Sequence, residues 1–132
     1  MVDDDPDLLH SLRALLECYA YRVTVAENAQ SAIAAVSMQV PDLVLTDIYM
    51  PGSDGFELIN ELRRNNTALP VVAMSGGGSV GRYDNLSIAT HLGAAAVIDK
   101  PFSNASLIAT IERVLEGARS NGVGAHGAGS AA

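Results

Sequence analysis

Apolar positions change period along this chain, and each change marks an element. Leu8, Leu9, Leu12, Leu15, Leu16 and Tyr19 recur at helical spacing behind Pro6, which suits a first-turn position with Asp5 as N-cap. Tyr21 to Ala26 alternates apolar with polar residues and is rich in β-branched side chains, predicting a strand; Ala29 to Val40 returns to helical spacing through Ile33 and Val36. Leu43 to Asp47 is a continuous apolar strand of the kind buried on both faces. Pro51-Gly52 then marks a turn, and Asp54 can cap a helix through Phe56, Leu58, Ile59 and Leu62. Pro70 to Ser75 is a further strand, Asn85 to Leu92 a weaker helix, Ala95 to Ile98 another strand, and Leu107, Ile108, Ile111, Val114 and Leu115 a last amphipathic helix. Counting Met1-Val2 as the first, short buried strands separated by helices require a parallel sheet with right-handed crossovers, an α/β fold.

Composition narrows the picture. A chain of 132 residues, 48% hydrophobic, can bury roughly two-thirds of its unfolded surface, enough for one domain. Residues 1–117 are expected to form it. From 118 to 132 the sequence is rich in Gly, Ala and Ser, with too little apolar surface to offset its ordering entropy, so a flexible tail or a severed linker is expected there. The net charge of −7, from 15 acids against 8 bases, opposes contact with a nucleic-acid backbone and favours cationic partners or metal ions. The single Cys18 makes no internal disulfide. The chain shows neither a signal-peptide h-region nor an apolar stretch of membrane-spanning length, so a cytoplasmic protein without membrane contact, monomeric or weakly dimeric, is the expectation.

Candidate chemistry collects where the apolar runs stop. Asp3 and Asp4 follow Met1-Val2, Asp47 ends Leu43–Thr46, Ser75 ends Val71–Met74, and Lys100 follows Ala95–Asp99. A parallel sheet would bring these groups to the carboxyl ends of its strands, where α/β ligand sites form. Mg²⁺ takes oxygen ligands, commonly one or two carboxylates with a carbonyl, waters and phosphate oxygens. Asp3, Asp4 and Asp47 could supply the carboxylates, and binding a cation would relieve their repulsion. Asp47, alone at its strand end before a turn, best fits a nucleophile toward phosphorus, with Lys100 and the Ser75 hydroxyl as contacts for the phosphoryl oxygens.

Val2-Asp3-Asp4-Asp5-Pro6, Leu43-Val44-Leu45-Thr46-Asp47-Ile48-Tyr49-Met50-Pro51-Gly52-Ser53-Asp54-Gly55, the strand ending at Ser75 and Asp99-Lys100-Pro101-Phe102 together resemble the receiver domain of bacterial two-component response regulators, over residues 1 to about 117. The resemblance implies a doubly wound, flavodoxin-like, five-stranded parallel sheet of order 2-1-3-4-5. It implies phosphorylation of Asp47 by a sensor histidine kinase or histidine phosphotransfer protein, with output through a downstream protein target or a phosphorelay. Mg²⁺ would be held by Asp4, Asp47 and the Tyr49 backbone carbonyl, with Asp3 acting largely through water. Ser75 and Lys100 would bind the phosphoryl oxygens, and the Lys100-Pro101 bond would be cis. Such a protein modifies itself and turns over no metabolite.

Three features depart from the family pattern. Only Met1 and Val2 precede the acidic residues, so the first strand is truncated and is expected to leave its neighbours' edges partly unpaired, through a misassigned start or a shortened chain. Val97 stands where the family commonly has Tyr or Phe, which removes an aromatic switch coupled to the hydroxyl residue. Gly76-Gly77-Gly78-Ser79-Val80-Gly81 makes a long glycine-rich loop resembling that of a stand-alone receiver subgroup.

Taken singly, the acidic triplet reads as a solvated terminus, Asp47 as a turn residue and Lys100 as a surface charge; their combined spacing favours the site. Alternatives are a receiver-like interaction module that is no longer phosphorylated, a dinucleotide-binding enzyme using Gly76, Gly78 and Gly81 with Asp99 as ribose ligand, and a serine hydrolase built on Ser75 with Asp84 and His91. The dinucleotide reading leaves Asp3, Asp4 and Asp47 unexplained. The hydrolase lacks the first glycine of its nucleophile elbow. His10, His91 and His126 are too scattered for a metal cluster.

Overall fold

Asp5 turns the chain from extended backbone into its first helix. Its φ and ψ are −95° and 103°, and its carboxylate accepts from the N–H groups of Asp7 at 3.0 Å and Leu8 at 3.3 Å. Pro6 follows in the first turn, where its missing N–H costs nothing. In this computed structural model, residues 1–50, 53–66, 68–75 and 93–121 are described. Their elements are α1 (Pro6–Cys18), α2 (Ala29–Met38), β1 (Val44–Asp47), β2 (Tyr49–Met50), β3 (Ser53–Asp54), α3 (Gly55–Asn65), β4 (Val71–Ser75), β5 (Ala96–Asp99) and α4 (Asn104–Asn121). Asn28 caps α2 by accepting from Ser31 N–H at 2.8 Å, and Ser103 accepts from Ser106 N–H at 3.0 Å at the start of α4.

β1, β4 and β5 form a parallel sheet in that order, with Val44 opposite Val71 and Val72 opposite Ala96. Every residue of β1 and β4 is buried, as their apolar runs require. On one face, Leu9, Leu12 and Leu16 of α1 and Leu107, Ile108 and Ile111 of α4 pack over Leu45, Val72 and Met74. On the other, Ala32 of α2 and Leu58, Ile59 and Leu62 of α3 cover Val44, Val71 and Ala73. Helices on both faces of a parallel sheet make the doubly wound, flavodoxin-like α/β arrangement expected. Each such fully buried Leu or Ile contributes about 1.5–3 kcal/mol relative to exposure.

The sheet's outer half departs from the expected strands. Val2 makes parallel bridges to Ala26 on one side and Thr46 on the other, so the side-by-side order follows 2-1-3-4-5, but the Tyr21–Ala26 segment contributes one bridge instead of a strand. Its neighbour explains this: Met1 and Val2 offer few backbone groups. Val2 N–H donates to Leu45 and its carbonyl accepts from Asp47, both at 2.8 Å; Ala26 N–H donates to Met1 C=O at 2.8 Å and Asp3 N–H to Ala26 C=O at 3.1 Å. The Met1 ammonium donates to Thr24 C=O at 2.7 Å. The short segment is thus bonded on both edges, and residues 21–25 have no ladder to join.

One further difference is local. β2 and β3 form a small antiparallel pair on either side of Pro51-Gly52, and Asp54 sits in β3 directly before α3. α4 runs to Asn121. The glycine-rich segment 76–81, the helix expected at 85–92, Asp84, His91, His126, and the tail from 122 lie outside the described residues, as do Pro51 and Gly52.

Candidate metal and phosphoryl site

The strand ends converge as their order dictates. Asp3 follows the bridged Val2, Asp47 closes β1, Ser75 closes the adjacent β4, and Lys100 follows β5. Lys100 N–H donates to Ser75 C=O at 2.8 Å, which fixes the two residues side by side, and the Lys100–Pro101 peptide is cis. Asp3, Asp4 and Asp47 each offer a carboxylate oxygen within 4.8 Å of the others.

Burial makes this cluster chemically demanding. Asp3 is 1% exposed and Asp47 5%, whereas Asp4 is exposed. The Lys100 ammonium donates to Asp3 Oδ2 at 2.8 Å and stands 3.5 Å from Asp47 Oδ2. Asp3 Oδ1 accepts from Asp5 N–H at 3.0 Å, an Asx turn that holds the carboxylate toward the sheet. Burial alone would lower the Lys100 pKa, but its hydrogen bond to Asp3 and the charges of Asp47 and Asp3 outweigh this and hold it above the ordinary value. Three carboxylates against one ammonium leave an excess of two negative charges, the charge a divalent cation carries. A hard, oxygen-only donor set suits Mg²⁺.

Ser75 adds a second signal. Its hydroxyl is buried, and among the described residues it has no hydrogen-bond partner. Such a group costs free energy unless a ligand satisfies it, and a phosphoryl oxygen is a suitable acceptor. Tyr49, whose backbone carbonyl is the fourth expected metal ligand, lies in β2, two residues beyond Asp47. Val97, at the position where the family commonly has Tyr or Phe, is half-buried against the α2 and α3 face of the sheet. Sequence reasoning passed over Thr46: it is fully buried, and its hydroxyl donates to the Asp47 carbonyl at 3.0 Å. A hydroxyl inside an otherwise apolar run was the available signal.

Among the described residues, no helix is long and apolar enough to cross a membrane. Residues 1–112 match the response regulator receiver domain family. The nitrogen assimilation regulatory protein NtrX of Azorhizobium caulinodans is 35% identical over 118 residues, covering 88% of this chain and 25% of that protein. Protein PilH of Pseudomonas aeruginosa is 32% identical over 119 residues, covering 89% of this chain and 96% of PilH. The chain thus spans about a quarter of NtrX and almost all of PilH. Among solved structures, the receiver domain of NtrX from Brucella abortus is similar with a TM-score of 0.81 at 36% identity, covering 87% of this chain and 95% of that one. A CheY-like receiver domain protein from Methanospirillum hungatei gives 0.84 at 28% identity, covering 92% and 94%. Sheet order, helices on both faces and acidic cluster agree with these likenesses, and the chain belongs to the response regulator receiver domains, the signalling domains of two-component systems.

Proposed function

We propose that this chain is a phosphoacceptor switch in which Asp47 receives a phosphoryl group with Mg²⁺ bound beside it. The observation that carries the reading is the convergence of Asp3, Asp4 and Asp47 within 4.8 Å of one another, next to the Lys100 ammonium and the buried Ser75 hydroxyl. In this reading an Asp47 carboxylate oxygen bonds to phosphorus as the bond from phosphorus to the donor's leaving group breaks, and the electron pair departs with that group. Asp4, Asp47 and the Tyr49 carbonyl would hold the cation, with Asp3 acting largely through water. Mg²⁺ supplies charge neutralisation for the incoming phosphoryl oxygens when bound. Lys100 and Ser75 contact those oxygens.

The phosphoryl source is a histidine kinase or a histidine phosphotransfer protein, as receiver-domain membership implies in general, and the output goes to a protein target or along a phosphorelay. Intact-mass measurement with a small acyl phosphate tests the acceptor. The expected result is one added phosphoryl group on the wild type with Mg²⁺, none with chelator, and none on Asp47→Asn. Modification persisting in Asp47→Asn would reassign the acceptor. Absence of any modification in the wild type would favour a receiver-like interaction module.

A further inference from the structure

Thr46 shares a sheet face with Val44 and lies opposite Ala73 in register, within an apolar layer. A hydroxyl there costs free energy unless bonded, and this one donates to the carbonyl oxygen of Asp47 at 3.0 Å. The bond falls at the last residue of β1. On the other side of the same peptide, Ile48 N–H donates to Met74 C=O at 3.0 Å, and Asp47 N–H donates to Val2 C=O at 2.8 Å. The backbone that aims the Asp47 carboxylate is therefore held from three directions, and only one of the three holds is a side chain that mutation can remove.

Resting on the assignment of Asp47 as acceptor, we propose that Thr46 is a positioning residue for the phosphoryl transfer: its hydroxyl pins the peptide after Asp47 and so sets the approach of the carboxylate beside Lys100. Near-attack geometry is sensitive to small displacements of the reacting group. Losing one neutral hydrogen bond should slow transfer about five-fold, equivalent to about 1 kcal/mol at 1.4 kcal/mol per tenfold.

Phosphorylation rates at saturating acyl phosphate and Mg²⁺ test this on the full chain, well below the melting temperatures of all variants. Thr46→Val, which keeps the shape and removes the donor, is expected to lower the saturating rate about five-fold while leaving the donor KM near wild type. Thr46→Ser, which keeps the donor, is expected to restore the rate. If Thr46→Val does not fold, Thr46→Ala is compared with Thr46→Ser in its place. A wild-type rate in the donorless variant, or a Ser variant as slow as it, overturns the role of Thr46 and leaves Asp47 as acceptor. No incorporation into the wild type overturns both assignments.

Discussion

Lys100 bridges two carboxylates unequally: its ammonium lies 2.8 Å from the Asp3 carboxylate and 3.5 Å from that of Asp47. The lysine thus stabilises the more deeply buried acid while remaining within reach of the proposed acceptor. Removing it leaves Asp3 charged and buried, with the Asp5 N–H as its remaining hydrogen-bond donor among the described residues. Lys100→Met is expected to destabilise the metal-free protein by about 2–3 kcal/mol in urea unfolding near neutral pH. The double variant Asp3→Asn with Lys100→Met should lose less than the sum of the single changes; strict additivity would show that the pair contributes no coupling.

Metal binding should appear as stability. At a free Mg²⁺ concentration ten times its Kd, linkage predicts about 1.4 kcal/mol of added unfolding free energy, reversed by chelator. Asp4 is exposed, so Asp4→Asn is expected to fold normally and lose most of this gain. An undiminished Mg²⁺ effect in Asp4→Asn would remove that residue from the ligand set.

The buried Met1 amino group gives this chain a pH dependence. Burial lowers its pKa from 8.0 to about 5. Because the folded value lies below the unfolded one, this contribution is full above about pH 8 and is lost as pH falls through 5. Beside it, Val2, Thr24, Ala32, Val36 and Val44 help line a groove of about 220 Å³. Placing Val-Leu-Val ahead of Met1 would replace the titrating amine by an amide and offer apolar side chains to the groove. The extended chain is expected to melt higher and to show a flatter pH profile between 5 and 8; identical curves for both chains would refute this.

Two backbone positions should respond in opposite directions. Ala20, after α1, has φ 66°, and Gly93, before β5, has φ 99°. An L side chain is strained in this region, so Ala20→Gly is expected to stabilise by about 1 kcal/mol. Gly93→Ala should destabilise by about 1–2 kcal/mol, since its Cβ would also come within 3.1 Å of Arg63 Nε. Urea midpoints of both variants check the pair of signs.

Much of this protein was readable from local chemistry. The cap at Asp5, the proline at the first turn, the all-apolar runs of β1 and β4 and the helical stripe of α4 each announce themselves within a few residues, because caps and periodicity act over one or two turns. The acids and the lysine could be gathered at one sheet edge for the same reason, since each ends an apolar run. Other features depended on distant neighbours. Tyr21–Ala26 has a strand's alternation, yet only Ala26 bridges, because pairing requires a partner strand and Met1-Val2 supplies only two residues. How closely each carboxylate approaches the Lys100 ammonium and which face buries the Thr46 hydroxyl are matters of ångström-scale distance between segments far apart in sequence. The order of amino acids determined which groups stand at the strand ends; packing alone decided their mutual distances, because register and burial are properties of the assembled sheet and not of any one of its strands.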